Sequence, residues 1–398
     1  MKAKNILTIL LLMMAGLQTV LAQNIKTMMT IHKSNGTASS FYVDELDSIS
    51  FVQIYQNDTI EPNNKVELQL LPFLEDFHEI QSIQPLDRRA GLPYSYTEYN
   101  PLEAPEIGFF ITEDSIVEDG SFTKKEEIWS THVSIRDDRN CQIYGYMPKD
   151  GNIGATIMPN VSYAYGCIMT ISGLKTITST DVCFVTGVKQ TDSSFSTEDD
   201  LQLGTFGYTI RGVDEGNYIY MLFNHLYASI DFQIYMDADY DALRTIKVKS
   251  MSLKSSQHST STAEITLSAN DSGADPVSRI EWTYDVGSCE ETLFSSNIIE
   301  PDTPFIPSTS MKSIGTCLIS PGTNQNGNKL ILSAIFDVYD KAGNLIRENC
   351  MIENNITETF QDILHGHSYI VKVKVCPTFL YLFNEPDLDN PTLMVEYE

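Results

Sequence analysis

The stretch 218–236 reads YIYMLFNHLYASIDFQIYM. Its even positions are almost all apolar: Tyr218, Tyr220, Leu222, Leu226, Ala228, Ile230, Phe232, Ile234 and Met236. Successive side chains of a strand point to opposite faces, so this spacing puts one apolar face on a β-strand. The run is too long for one flat strand. Asn224-His225 interrupts it and is the expected bend or bulge. Working outward, the same period recurs. In 369–375, YIVKVKV, Tyr369, Val371, Val373 and Val375 share one face, and Lys372 and Lys374 share the other. Leu330 to Tyr339 forms another strand, turned back by Lys341-Ala342-Gly343-Asn344 into Leu345-Ile346-Arg347. Turn signals punctuate the chain throughout, and helical periodicity is scarce. The expected fold class is all-β: two β-sandwich domains in tandem.

The N-terminal region is expected to stand apart. Asn35-Gly36 lies between two alternating runs, a strong hairpin signal. Before it, Lys2 and Lys4 precede an apolar run from Ile6 to Leu17, and Val20-Leu21-Ala22 has the small-x-small pattern of a signal peptidase site. The run is shorter than the roughly 20 residues that span a bilayer. It reads as a secretion signal cut between Ala22 and Gln23. The expected organisation is a signal peptide at 1–22, a hairpin extension at 23–60, a first sandwich at 61–214 and a second at 215–398. No later stretch is long and apolar enough to suggest a transmembrane helix.

The net charge is −27, with 53 acidic and 26 basic residues. A surface this acidic repels phosphate backbones and anionic lipid, which argues against nucleic acid as a partner. It also keeps an exported protein soluble. The 7 cysteines are Cys141, Cys167, Cys183, Cys289, Cys317, Cys350 and Cys376. They are too sparse for a disulfide scaffold, and none forms CxxC. Cys167 and Cys183 fall on consecutive expected strands and could face each other. Buried, unpaired cysteines are the plainer reading.

Motifs for catalysis are missing: there is no GxSxG, HExxH or P-loop. His365-Gly366-His367 has ligand-like spacing but no evident third ligand, and Gly366 reads better as the turn before the next strand. His225 reads as a core or bulge histidine. Asp387-Leu388-Asp389-Asn390 lacks EF-hand spacing and reads as a Pro-flanked acidic turn. These residues imply neither an enzyme, nor a metal site, nor a cofactor. Chelation is expected to leave stability unchanged. The 20 Tyr and 18 Phe fall mostly at inward positions of alternating strands, against only 2 Trp. Core packing is their default, and an aromatic platform for glycans is the rival.

Several segments, taken in order, resemble one family. "FNHLYASIDFQIYMDADYDALRTIKVKSMSL" resembles the F-x-H-x-L strand, spacer and following strand of fimbrillins, the type V pilins and Mfa-like surface proteins of Gram-negative anaerobes. "IWSTHVSIRDDRNCQIYGYMP" and "GATIMPN…CIMTISGLKTITSTDVCFVTGV" are similar to the segments that precede it. "LHGHSYIVKVKVCPTFLYLFNEPDLDNPTLMVEY" resembles the C-terminal segment of one subgroup, and "TIHKSNGTASSFYVDELDSISF" an N-terminal leader of surface proteins of those bacteria.

The resemblance implies transthyretin-like sandwiches and a structural, adhesive role at the cell surface, in a pilus or at the outer membrane. The implied partners are other pilin subunits, other surface proteins, or a host or bacterial surface ligand. It implies assembly by strand addition after an Arg-specific protease releases the first strand. Arg88 and Arg89 occupy the matching region, although a basic loop tip is cut easily in any protein. Family pilins usually carry a lipid-modified Cys at the signal cleavage site. Here Ala22-Gln23 stands at that place, so a lipid anchor is not implied. A glycan-binding surface sandwich is the alternative function. Finally, Thr378–Phe383 and Thr392–Tyr397 are expected to form a terminal hairpin across Asn384–Pro391. Leu380 and Leu382 would face the core, and Phe379, Tyr381 and Phe383 an added strand.

Overall fold

The computed structural model describes residues 28–32, 38–42, 65–75, 78–79, 96–98, 106–113, 116–125, 128–134, 141–159, 166–190, 203–208, 218–269, 275–296, 303–361, 363–380 and 385–395. The chain forms two compact units, Met1–Asn57 and Asp58–Glu398. In the first, β1 (Met28–His32) and β2 (Ala38–Tyr42) pair antiparallel with His32 opposite Ala38. This is the hairpin expected around Asn35-Gly36, whose own residues lie outside the described ones.

The second unit is almost wholly β. Its first strands are β3 (Lys65–Glu75), β4 (His78–Glu79), β5 (Tyr96–Glu98), β6 (Glu106–Glu113), β7 (Ile116–Lys125), β8 (Ile128–Ser134) and β9 (Cys141–Met147). Then come β10 (Gly154–Pro159), β11 (Gly166–Lys175), β12 (Ile177–Thr178), β13 (Cys183–Gln190), β14 (Gly207–Tyr208), β15 (Tyr218–His225) and β16 (Ala228–Met236). A six-residue helix, α1 (Ala238–Leu243), leads to β17 (Arg244–Ser255), β18 (His258–Ser268), β19 (Val277–Val286) and β20 (Cys289–Ser295). The last strands are β21 (Lys312–Ile319), β22 (Leu330–Asp340), β23 (Leu345–Asn355), β24 (His367–Leu380) and β25 (Glu385–Val395).

These strands cover two hydrophobic cores. Around the first, the sheet order is β13-β15-β3-β8-β7-β6-β9-β14, and an added β13–β9 pairing closes seven of these strands into a ring. The sheet β10-β11-β18-β19 packs against it, with Met169, Ile171, Ala263 and Ile265 buried between. Around the second core, β12-β21-β16-β24-β25 faces β20-β17-β22-β23. Here the alternation of the sequence is realised directly. Ala228, Ile230, Phe232, Ile234 and Met236 are buried along β16, and Tyr369, Val371, Val373 and Val375 along β24. Each large apolar side chain taken from water stabilises the sandwich by about 1.5–3 kcal/mol before entropy is counted.

The structure differs from the sequence reading in three places. First, the break in 218–236 falls at Leu226-Tyr227, between β15 and β16. Asn224 and His225 stay on the ladder opposite Phe184 and Cys183, and the Leu226 N–H donates instead to Val182 O at 2.9 Å. That bond turns the chain from the first core to the second. Second, the cores do not divide at 214/215. β15 lies in the sheet of the first core, and β18 carries Ala263, Ile265 and Leu267 back to it. A sandwich needs two facing sheets, and the strand that completes one can come from anywhere in the chain.

Third, Asp387-Leu388-Asp389-Asn390 and Pro391 belong to strand β25 rather than to a turn. β24 runs unbroken to Leu380, which pairs with Glu385. Pro377 faces Pro391, neither can donate a ladder bond, and the register jumps there to Thr378 opposite Asp387. The bulged residues 388–390 are tied down by Tyr240 Oη donating to Leu388 O (2.9 Å), by Arg244 on Asp389 (2.8 Å) and by Arg347 on Asn390 (3.2 Å). Leu393 is buried in the second core. The terminal hairpin is therefore part of the second sandwich, with β25 as the last strand of its sheet.

Candidate functional site

The middle of the ring sheet is unusual in its strand directions. β3 is the first strand of its unit, yet it lies centrally. It pairs parallel with β15 from Gln69 opposite Tyr218 to Leu74 opposite Phe223. On its other side it pairs antiparallel with β8 from Lys65 to Leu70, then with β5 from Phe73 to Glu75. Pro72 falls where the ladder passes from β8 to β5, a gap at which a central strand tolerates a missing N–H. Leu68 and Leu70 are buried in the first core, fully and at 3% exposure. β15 has Ile219, Met221, Leu222 and Phe223 all buried, so both of its faces are covered. That is the pattern of a parallel-paired interior strand and the reason its sequence does not alternate cleanly.

A second cluster lies at the far end of β15. Cys183 opens β13 and stands opposite His225, the last residue of β15. Asp181 precedes Cys183 by two residues and so shares its side of the chain. His225 Nδ1 lies 2.5 Å from Asp181 Oδ2 and 3.7 Å from Cys183 Sγ, and the thiol donates to Asp181 Oδ2 at 3.3 Å. Cys183 and His225 are buried, whereas the Asp181 side chain is 30% exposed. Burial first, and the Asp181 charge second, push the Cys183 thiol well above its ordinary range. A thiol held protonated is a poor nucleophile. Both partners, moreover, meet the same ring nitrogen. A nucleophile–base–carboxylate relay places them on opposite nitrogens, so this geometry does not fit triad chemistry.

His365-Gly366-His367 packs beside this cluster. His365 Nδ1 is 3.4 Å from His225 O, and His367 Nδ1 is 2.8 Å from His365 O. Gly366 has φ +67°, and its N–H donates to Tyr227 O at 2.8 Å. It is the turn that starts β24. The histidines contact backbone carbonyls here, and they do not join Asp181, Cys183 and His225 as a ligand group.

The sequence reading placed Asp181 in no site and His225 in the core. The i, i+2 spacing of Asp181 and Cys183 is visible in the sequence. Their meeting with a residue more than forty positions away is set by the β13–β15 register. The other expected site residues fall elsewhere. Ala22, Gln23, Arg88, Arg89, Tyr381 and Phe383 lie outside the described residues. Phe379 lies on β24 opposite Pro386. None of the seven cysteines forms a disulfide, Cys167 and Cys183 included; six are buried and Cys289 is partly exposed.

Glycan recognition would be favoured by an exposed aromatic platform. Among the described residues the exposed large apolar side chains, such as Met158, Val286 and Met351, include no aromatic. Trp282 is half-buried at the rim of a shallow groove with Arg279, Glu281, Gln325 and His365. Arg279 and Glu281 pair with each other there. No helix among the described residues is long and apolar enough to cross a membrane.

No protein-family model matches the chain, and no curated protein does. Among solved structures, the chain is similar to a candidate cell adhesion protein from Bacteroides fragilis at 10% identity, covering 84% of this chain and 98% of that one, with TM-score 0.40. A fimbrial protein from Bacteroides vulgatus aligns at 12% identity over 74% and 92%, with TM-score 0.34. The fimbrial anchor protein Mfa2 from Porphyromonas gingivalis aligns at 10% identity over 82% and 95%, with TM-score 0.25. Scores and identities this low assign neither a family nor an activity.

Proposed function

We propose that the protein is an exported, fimbrillin-like structural and adhesive component of the cell surface, a pilus subunit or an accessory of one, that joins its neighbours by β-strand addition. It performs no catalysis. The observation that carries this reading is the position of β3. β3, the first strand of its unit, fills the centre of a sheet, between β15 and the pair β8 and β5. It also precedes the segment that contains Arg88-Arg89. Cleavage after either arginine severs β3 from the body of the chain. Its departure uncovers hydrogen-bonding edges on β15 and β8 and the core pockets of Leu68 and Leu70. A strand of the same pattern from a neighbouring subunit satisfies both the backbone groups and the pockets. The partners are other subunits or surface proteins of the same assembly.

The test is limited digestion of purified protein with an Arg-specific protease, followed by N-terminal sequencing and negative-stain microscopy. A new terminus at Arg89 or Ala90, loss of the β3 peptide and growth of filaments are the expected results. The double variant Arg88→Ala, Arg89→Ala stays intact and monomeric. Clean cleavage that leaves a monomer with β3 still bound overturns strand addition. Immunogold labelling of intact cells tests the location independently, with label on filaments or the outer surface as the expected result.

A further inference from the structure

We propose that Asp181, Cys183 and His225 form a binding site for a divalent transition-metal cation of the zinc type, which clamps the start of β13 to the end of β15. They are the one group of three His, Cys, Asp or Glu ligand atoms among the described residues whose members all lie within reach of a single ion. The pairwise separations are 2.5, 3.3 and 3.7 Å. Zinc bonds of about 2.0–2.3 Å in tetrahedral geometry need ligand atoms a little over 3 Å apart. Moving Asp181 Oδ2 away from Nδ1 by less than an ångström, roughly, therefore opens the place for an ion.

The chemistry of the donors fits as well. One sulfur, one imidazole nitrogen and one carboxylate oxygen are a borderline-soft set, unsuited to calcium or magnesium. When the ion binds, the thiol proton leaves to solvent and the imidazole carries its proton on Nε2, so that Nδ1 can ligate. Thiolate and carboxylate then neutralise the two positive charges. A further observation points the same way. Asp181 Oδ1 is buried with no hydrogen-bond partner. An ion with a bound water at its fourth position offers it one. Access is through Asp181, the member of the group that reaches solvent.

The clamp has a structural consequence. Leu226 N bonds to Val182 O immediately beside the cluster, at the point where the chain turns from the first core into β16 and the second. An ion at Asp181, Cys183 and His225 fixes that turn. The sequence alone gave no such site, because its third ligand comes from a strand distant in the chain.

The full chain, stripped with chelator and dialysed, is titrated with Co²⁺ and with Zn²⁺. Stoichiometric binding is expected, with a thiolate-to-cobalt charge-transfer band and a rise in melting temperature with zinc. Cys183→Ser loses the band, and Asp181→Asn, at the partly exposed ligand, weakens zinc binding by more than about tenfold. Cys289→Ser, at the partly exposed cysteine outside the cluster, keeps both. If Cys183→Ser does not fold, Asp181→Asn decides. The proposal is overturned if the unaltered protein takes up no metal, or if Asp181→Asn binds zinc as tightly as the parent.

Discussion

Gly366 is a residue whose identity the backbone dictates. Its φ of +67° is left-handed, and a Cβ there would stand 2.8 Å from Asn224 Oδ1. Alanine at this position costs about 1–2 kcal/mol for the backbone alone. Gly366→Ala therefore lowers the urea midpoint, and an unchanged midpoint would show that the turn tolerates a side chain. Asp237 is a second such residue. It caps α1 by accepting from the N–H groups of Asp239 and Tyr240, and it pairs with Lys374 at 3.1 Å. The Lys374 hydrogen bond is the main cause that holds its carboxyl below the ordinary value of 3.8. A group depressed in the folded state contributes stability above its unfolded pKa and loses it as pH falls through the folded one. Asp237 thus favours folding above pH 3.8, and this contribution fades as the solution becomes more acid than that. Lys374→Gln raises the carboxyl toward its ordinary value, and an NMR titration of Asp237 in both proteins reads the difference directly.

At the scale of elements, β24 and β25 show how proline shapes a ladder. The sequence reading treated the apolar run 379–383 as the face of a strand open to a partner and the acidic segment after it as a turn. The facing pair Pro377 and Pro391 breaks the ladder in mid-hairpin, and Tyr240, Arg244 and Arg347 hold the bulge that results. With Leu393 buried, β25 is part of the second sandwich. Deleting Thr392–Glu398 removes that side chain and the pairing of Val373 to Cys376 with β25. The truncated protein melts at a lower temperature, since burying one Leu contributes about 1.5–3 kcal/mol. A melting temperature equal to that of the full chain would show that β25 adds nothing to the second core. By contrast, the faces of β16 and β24 were legible residue by residue, because one covered face and one wetter face impose a strict period of two. β15 was less legible. With both faces buried, its sequence carries no alternation to read.

For the whole molecule, charge is the simplest determinant of behaviour. A net charge of −27 keeps copies apart at neutral pH. That repulsion vanishes near the isoelectric point of about 4.5, where turbidity of a concentrated solution should peak. A solution clear through that range would mean that the surface charge is distributed to resist association even at zero net charge. The sequence by itself determined the all-β class, the N-terminal hairpin, the inward residues of β16 and β24 and the burial of most cysteines. Each of these follows from local pattern, since strand period, Asn-Gly turns and small apolar residues act over a few positions. Only the tertiary structure decided that β3 lies at the centre of its sheet. The same is true of β18, which returns to the first core, and of Asp181 and Cys183, which meet His225. Those outcomes depend on which strands pair and in what register. Strand pairing is a choice among many distant segments with similar alternation, settled by the burial of whole sheets against one another rather than by any short stretch of chain.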